Sequence, residues 1–131
     1  MKSIEFGHRF NQPINEDSLP NSITHLTFGQ SFSQSVNTLP PNMTHLTFGF
    51  WFNEPVDKLP PSIIYLNLSN SMYFSQPIIN LPENLIFLEL PVFYDQPINN
   101  LPYSLKTLKI SKKYPIENVK LPFGCEVKFE A

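Results

Sequence analysis

The chain has 131 residues, enough for one domain, and 41% of them are hydrophobic, enough for a buried core. Its charged fraction of 15% is low for a globular protein, so we expect a mostly neutral polar surface. The formal net charge of −2 argues against a basic surface for nucleic acid or anionic lipid. A single cysteine, Cys125, and the lack of a signal-like or membrane-spanning apolar stretch predict a cytoplasmic protein with no membrane role.

A repeat of about 20 residues runs through the chain and is marked by the dipeptide Leu-Pro. Its leucines are Leu19, Leu39, Leu59, Leu81, Leu101 and Leu121. Regular spacing of this length indicates a solenoid, in which each unit stacks on its neighbours. We therefore predict one domain over 1–131, with a partial repeat at 1–18, repeats starting at residues 19, 39, 59, 81 and 101, and a C-terminal cap at 121–131.

Each unit contains two apolar residues separated by one polar or variable residue, which is the alternation of a half-buried β-strand. These pairs are Ile4/Phe6, Leu26/Phe28, Leu46/Phe48, Leu66/Leu68, Leu88/Leu90 and Leu108/Ile110. The prolines between them exclude long helices, so we predict six strands in a parallel sheet and no helix longer than two turns. The one 22-residue unit carries its extra residues near 70–73, where we expect an outward bulge.

A second motif follows each strand: an aromatic residue, a short polar residue and, three positions further on, Ile or Val. The aromatics are Phe10, Phe32, Phe52, Phe74 and Tyr94. We predict that they point into the core. The short polar residues are Asn11, Ser33, Asn53, Ser75 and Asp95. Stacked in register, this polar column can satisfy turn amides that have no strand partner.

The combination of Leu-Pro-x-Ser-Ile/Leu-x-x-Leu-x-Phe-Gly with Phe-Asn-Gln-Pro-Ile, as at 10–14, resembles the FNIP repeat, a relative of the leucine-rich repeat. The resemblance extends over roughly residues 4–122. It implies a mostly β, right-handed, leucine-rich-repeat-like solenoid with 20–22-residue repeats, a curved parallel sheet and little or no helix. It also implies a scaffold for protein–protein contacts.

Residues that could support catalysis or metal binding are few and scattered. His25 and His45 should be neighbours on the exposed sheet face, but a zinc site needs three or four ligands. Glu5 and Glu89 fall several strands apart, too far for an acid–base pair. Cys125 is a lone thiol in the predicted cap. We therefore predict no enzymatic activity, no cofactor and no metal.

Bulky aromatic side chains occupy one position just past the strand in three successive units, and we call Trp51, Tyr73 and Phe93 the aromatic edge. Other units place polar residues there, so the fold does not require an aromatic. Either the three rings shield one another, or they form an exposed contact site. The candidate partner-binding residues are Trp51, Tyr73, Phe93, Tyr65, Phe87, His25 and His45.

Two functions are compatible with this pattern. The first is a module that binds a protein partner of unknown identity through the sheet face and the aromatic edge. The second is a structural unit that stacks end to end as a homo-oligomer through its N-terminal coil. The second arises because the N-terminal unit lacks a cap comparable to the lysine-rich C-terminal segment, which leaves Phe6 either exposed or covered by another molecule.

Overall fold

The computed structural model describes residues 2–130, which form one parallel sheet with its strands in chain order. The elements are β1 (Lys2–Glu5), β2 (Ile23–Thr27), β3 (His45–Thr47), β4 (Tyr65–Asn67), β5 (Phe87–Glu89), β6 (Thr107–Ser111), a single 3-10 turn (Ile116–Asn118) and β7 (Glu126–Glu130). Every strand pairs in parallel with the next one along the chain. The predicted mostly β, leucine-rich-repeat-like solenoid with almost no helix is confirmed.

Each turn of the solenoid is one coil, and we number the coils by their strands. They are coil 1 (2–18), coil 2 (19–38), coil 3 (39–58), coil 4 (59–80), coil 5 (81–100), coil 6 (101–120) and coil 7 (121–130). The strand leucines are in register from coil to coil, as when Leu46 pairs with Leu26 on one side and Leu66 on the other. Equivalent residues of successive coils therefore form columns along the solenoid.

The prediction of six strands was one too few. Residues 126–130, which the sequence assigned to a polar cap, form β7 and pair with β6 over five positions. Val127 lies opposite Leu108 and Phe129 opposite Ile110, so the core columns continue into coil 7. Alternation of apolar and charged residues was the signal for this strand, and the lysines around it obscured that signal.

The core consists of the columns that the repeat predicted. Leu26, Phe28, Phe52 and Phe74 are at most 2% exposed. The equivalent strand positions are buried in coils 2–6 and the motif aromatics are buried in coils 2–5, whereas Tyr114 of coil 6 is only partly buried. The aromatic rings of the second motif stack along the solenoid, with 6.0 Å between the ring centroids of Phe52 and Phe74. Because each coil has only two neighbours, burial depends on stacking rather than on any single coil.

The short polar residues of the second motif form a hydrogen-bonded ladder between coils. The backbone N–H of Ser33 donates to Oδ1 of Asn11 over 2.9 Å, and that of Asn53 donates to Oγ of Ser33 over 3.2 Å. The N–H of Ser75 then donates to Oδ1 of Asn53 over 3.0 Å. The predicted structural role is confirmed for Asn11, Ser33 and Asn53, whose side chains satisfy amides that lie outside the sheet. Asp95 differs, since its Oδ1 accepts a hydrogen bond from Nε2 of Gln96 in its own coil.

The two-residue insertion in coil 4 does not simply bulge outward, as the sequence suggested. Ser71 is fully buried, and its hydroxyl donates to the carbonyl oxygen of Gly49 over 2.9 Å. Asn70 and Tyr73, at the two ends of the segment, are exposed, whereas Met72 is half-buried. The insertion therefore attaches coil 4 to coil 3 by a buried hydrogen bond.

Candidate protein-binding surface

A row of stacked rings runs across the sheet face in coils 2–5. His25, His45, Tyr65 and Phe87 are strand residues that pair in register, so their side chains emerge from adjacent strands on the same face. Successive ring centroids are 4.0, 5.2 and 4.6 Å apart. Each of the four residues is half-buried. The result is a flat aromatic strip that lies open to solvent along one side.

Threonine hydroxyls hold the two imidazoles of this strip. Oγ1 of Thr44 lies 3.2 Å from the carbonyl oxygen of Thr24 and 2.9 Å from Nδ1 of His45. The Thr44 hydroxyl has one proton, which it donates to the carbonyl oxygen of Thr24. The hydroxyl oxygen then accepts a hydrogen bond from Nδ1–H of His45. The neutral ring then carries its free lone pair at Nε2. Burial and the adjacent His25 lower the pKa of His45, which favours this neutral form.

The aromatic edge lies beside this strip and is only partly shielded by its own contacts. The Trp51 and Tyr73 rings stack at a centroid distance of 5.0 Å, and Phe50 packs edge-on against both. Trp51 nevertheless remains 51% exposed and Tyr73 58% exposed. Phe93 is 66% exposed and does not join the stack among the described residues. The edge is therefore a packed pair in coils 3 and 4 with a separate ring in coil 5.

A charged cluster lies on the same sheet face near its C-terminal strand, and sequence analysis missed it. Nζ of Lys109 is 3.8 Å from Oε2 of Glu89 and 3.6 Å from Oε1 of Glu130. Burial raises the pKa of Glu89 to about 7, Glu130 contributes to the rise, and Lys109 opposes it. The β7 strand brings Glu130 into the cluster, so the charges could not be grouped before that strand was known.

A groove of about 690 Å³ crosses the Leu-Pro corners of the last four coils, away from the sheet face, and was also not predicted. Asn80 and Asn100 line it in the left-handed backbone conformation. The side chain of Tyr103 is 93% exposed at its margin. Tyr103 follows Leu-Pro at a position that holds Asn, Pro or Glu in coils 2–5, and coil 7 has the exposed Phe123 there. These two aromatic residues are the signal that could have identified this groove.

Residues 2–130 contain no group of three or more His, Cys, Asp or Glu side chains that could hold a metal ion. Within that span, no helix is long and apolar enough to cross a membrane. Cys125 is half-buried, and burial raises the pKa of its thiol, so the thiolate that nucleophilic chemistry requires is disfavoured.

Comparison with known proteins agrees with the repeat architecture. The FNIP Repeat family model matches residues 1–31 and 32–71, more than half of the chain. In the crystal structure of CroV588, described as a novel circular LRR protein, the matched region is 32% identical, with a TM-score of 0.72. That match covers 97% of this chain and 23% of CroV588, so the chain spans about a quarter of that protein. A search of curated proteins found no match. The chain belongs to the FNIP repeat family and has a leucine-rich-repeat-like fold.

Proposed function

We propose that the chain is a non-enzymatic scaffold that binds a protein partner through the sheet face and the aromatic edge. The observation that carries this proposal is the exposure of Trp51, Tyr73 and Phe93 at a column where other coils have Arg9, Ser31 and Lys113. Aromatic side chains that the fold does not need, and that remain more than half exposed, are typical anchors of protein interfaces. The aromatic strip on the adjacent sheet face extends the same surface over four coils.

The experiment compares capture of proteins from the native host by wild-type chain and by a Trp51→Ser/Phe93→Ser variant. Lys113→Ser is the matched control, because it changes the same column in coil 6 without removing an aromatic ring. We expect the serine double variant to lose proteins that both wild type and control retain, while its melting temperature stays within about 2 °C of wild type. A variant that melts as early as one with a core phenylalanine removed would show that the edge is structural.

A second candidate function is end-to-end assembly of copies of this chain. It is favoured by the two outer strands of the sheet, β1 and β7, each of which pairs on one side only among the described residues. Strands with a free edge readily accept another strand. The similar solved protein is described as circular, and a ring of coils built from several copies is the corresponding arrangement proposed for this chain. Size measurement of the purified chain across a range of concentrations tests this function.

A further inference from the structure

The face of coil 1 that points away from coil 2 is apolar and open. Ile4, Phe6 and Phe10 of coil 1, together with Leu19 at the start of coil 2, line a cavity of about 370 Å³ there. In coil 2 the equivalents of Phe6 and Phe10 are Phe28 and Phe32, which are at most 2% exposed because coil 1 covers them. Coil 1 therefore presents core-type side chains in the arrangement that a neighbouring coil covers elsewhere in the molecule.

A glycine column indicates how closely another backbone can approach this face. A Cβ atom built on Gly29 would overlap the carbonyl oxygen of Gly7, and one built on Gly49 would overlap the carbonyl oxygen of Gly29. Glycine is thus required at these two positions because the preceding coil lies against them. Gly7 occupies the same column, yet a Cβ there meets nothing within 4 Å, and its φ is not positive. Coils 4–6 have Ser69, Pro91 and Ser111 in this column and accommodate a Cβ there, so the close approach is specific to the stacking of coils 1–3. Gly7 leaves room for a backbone to approach coil 1 as closely as coil 1 approaches Gly29.

The opposite end of the solenoid presents a matching strand. In β7, Phe129 is 53% exposed although it continues a core column, and Leu121 of the same coil is 38% exposed. If the observed column register continued from β7 of one copy into β1 of another, Val127 would lie opposite Ile4 and Lys128 opposite Glu5. In the same register Phe129 would lie opposite Phe6, and Glu130 opposite Gly7. Lys128 and Glu5 have opposite charges, and both are exposed. Opposite charges directly across a strand pair are stabilising.

We propose that β1 is a docking site for β7 of a second copy of this chain, added in parallel and in the register just described. The inference rests on the second proposed function, and it adds the strands, the register and the residues of the contact. Phe6 and Phe129 cover one another, and the carbonyl oxygen of Glu130 lies against Gly7. Because two different surfaces meet, each copy keeps one free β1 and one free β7, so copies add into an open filament or a closed ring.

The first test exchanges the charges across the contact. Glu5→Lys places two lysines opposite each other, and Lys128→Glu places two glutamates opposite each other. Each variant alone should associate roughly fivefold more weakly than wild type, as measured by sedimentation velocity at several concentrations. Mixing the two variants should restore association, because every contact between unlike copies then pairs opposite charges. Wild-type chain that stays monomeric throughout would overturn both this interface and the second function.

The second test uses the glycine column with a control inside the chain. Gly7→Ala should leave the melting temperature unchanged, since its Cβ meets no described atom, and should weaken association roughly tenfold or more. Gly29→Ala, in contrast, should lower the melting temperature, because its Cβ overlaps coil 1. Association that is present but insensitive to Gly7→Ala and to both charge variants would overturn this interface, while end-to-end assembly by other contacts would stand.

Discussion

Removing the ring of Phe52 should destabilise the middle of the solenoid more than almost any other single change. The side chain is fully buried, and its centroid lies 3.7 Å from that of Phe48 in the same coil. Phe32 of coil 2 lies 6.3 Å away on one side and Phe74 of coil 4 lies 6.0 Å away on the other. Phe52→Ala therefore opens a cavity with ring contacts on three sides, in a part of the molecule with no solvent access.

The expected cost of Phe52→Ala is about 3–5 kcal/mol of unfolding free energy, the usual range for a buried phenylalanine. Against a total stability of about 5–15 kcal/mol, this is a large share. For a chain of this size the melting temperature should fall by roughly 10–20 °C. Because coils contact only their neighbours, amide hydrogen exchange should accelerate in coils 2, 3 and 4 together. Thermal unfolding followed by circular dichroism measures the first effect.

Phe10→Ala is the matched control, since it removes the same motif aromatic from coil 1. Phe10 is half-buried and has ring neighbours in its own coil and in coil 2 only, at 4.2 Å from Phe6 and 6.0 Å from Phe32. Its removal should cost less than half as much as Phe52→Ala, when measured on monomeric chain. Equal losses at the two positions, or an unchanged melting temperature for Phe52→Ala, would refute the argument that stability comes from coils stacked on both sides.

Three further predictions concern polar groups. Ser71→Ala should cost roughly 1–2 kcal/mol in denaturant unfolding, because it removes a buried hydrogen bond to the carbonyl oxygen of Gly49; an unchanged midpoint would contradict this. Asn53→Ala should cost less, about 0.5–1.5 kcal/mol, since water can replace its bond to the exposed amide of Ser75. The pKa of Glu89 rises to about 7 on folding, so its ionisation destabilises the fold as pH rises from about 4.5 to 7. Glu89→Gln should therefore gain thermal stability relative to wild type between pH 5 and pH 8, and a constant difference would refute the burial argument.

Sequence reasoning was most effective where the repeat was intact. The spacing of the Leu-Pro dipeptides and the paired apolar residues located β2 to β6, and the position after each motif aromatic predicted the ladder from Asn11 to Ser75. It failed where the pattern changes. Glu126–Glu130 lacks the leucines of earlier strands, and the insertion before Tyr73 has no counterpart in other coils, so neither β7 nor the buried Ser71 was predicted.

The sequence alone determined the family, the coil length, the columns and therefore which residues share a face. The sequence was sufficient because similar units that stack on one another adopt one register. That register can be derived from the repeat period and the polar–apolar alternation alone. Only the tertiary structure decided that Trp51 stacks on Tyr73 while Phe93 stands apart, and that Lys109 joins two carboxylates. These contacts depend on side-chain rotamers and on the path of irregular segments, which neighbouring coils set through packing. The repeat period places residues in a column, but it does not specify how their side chains meet.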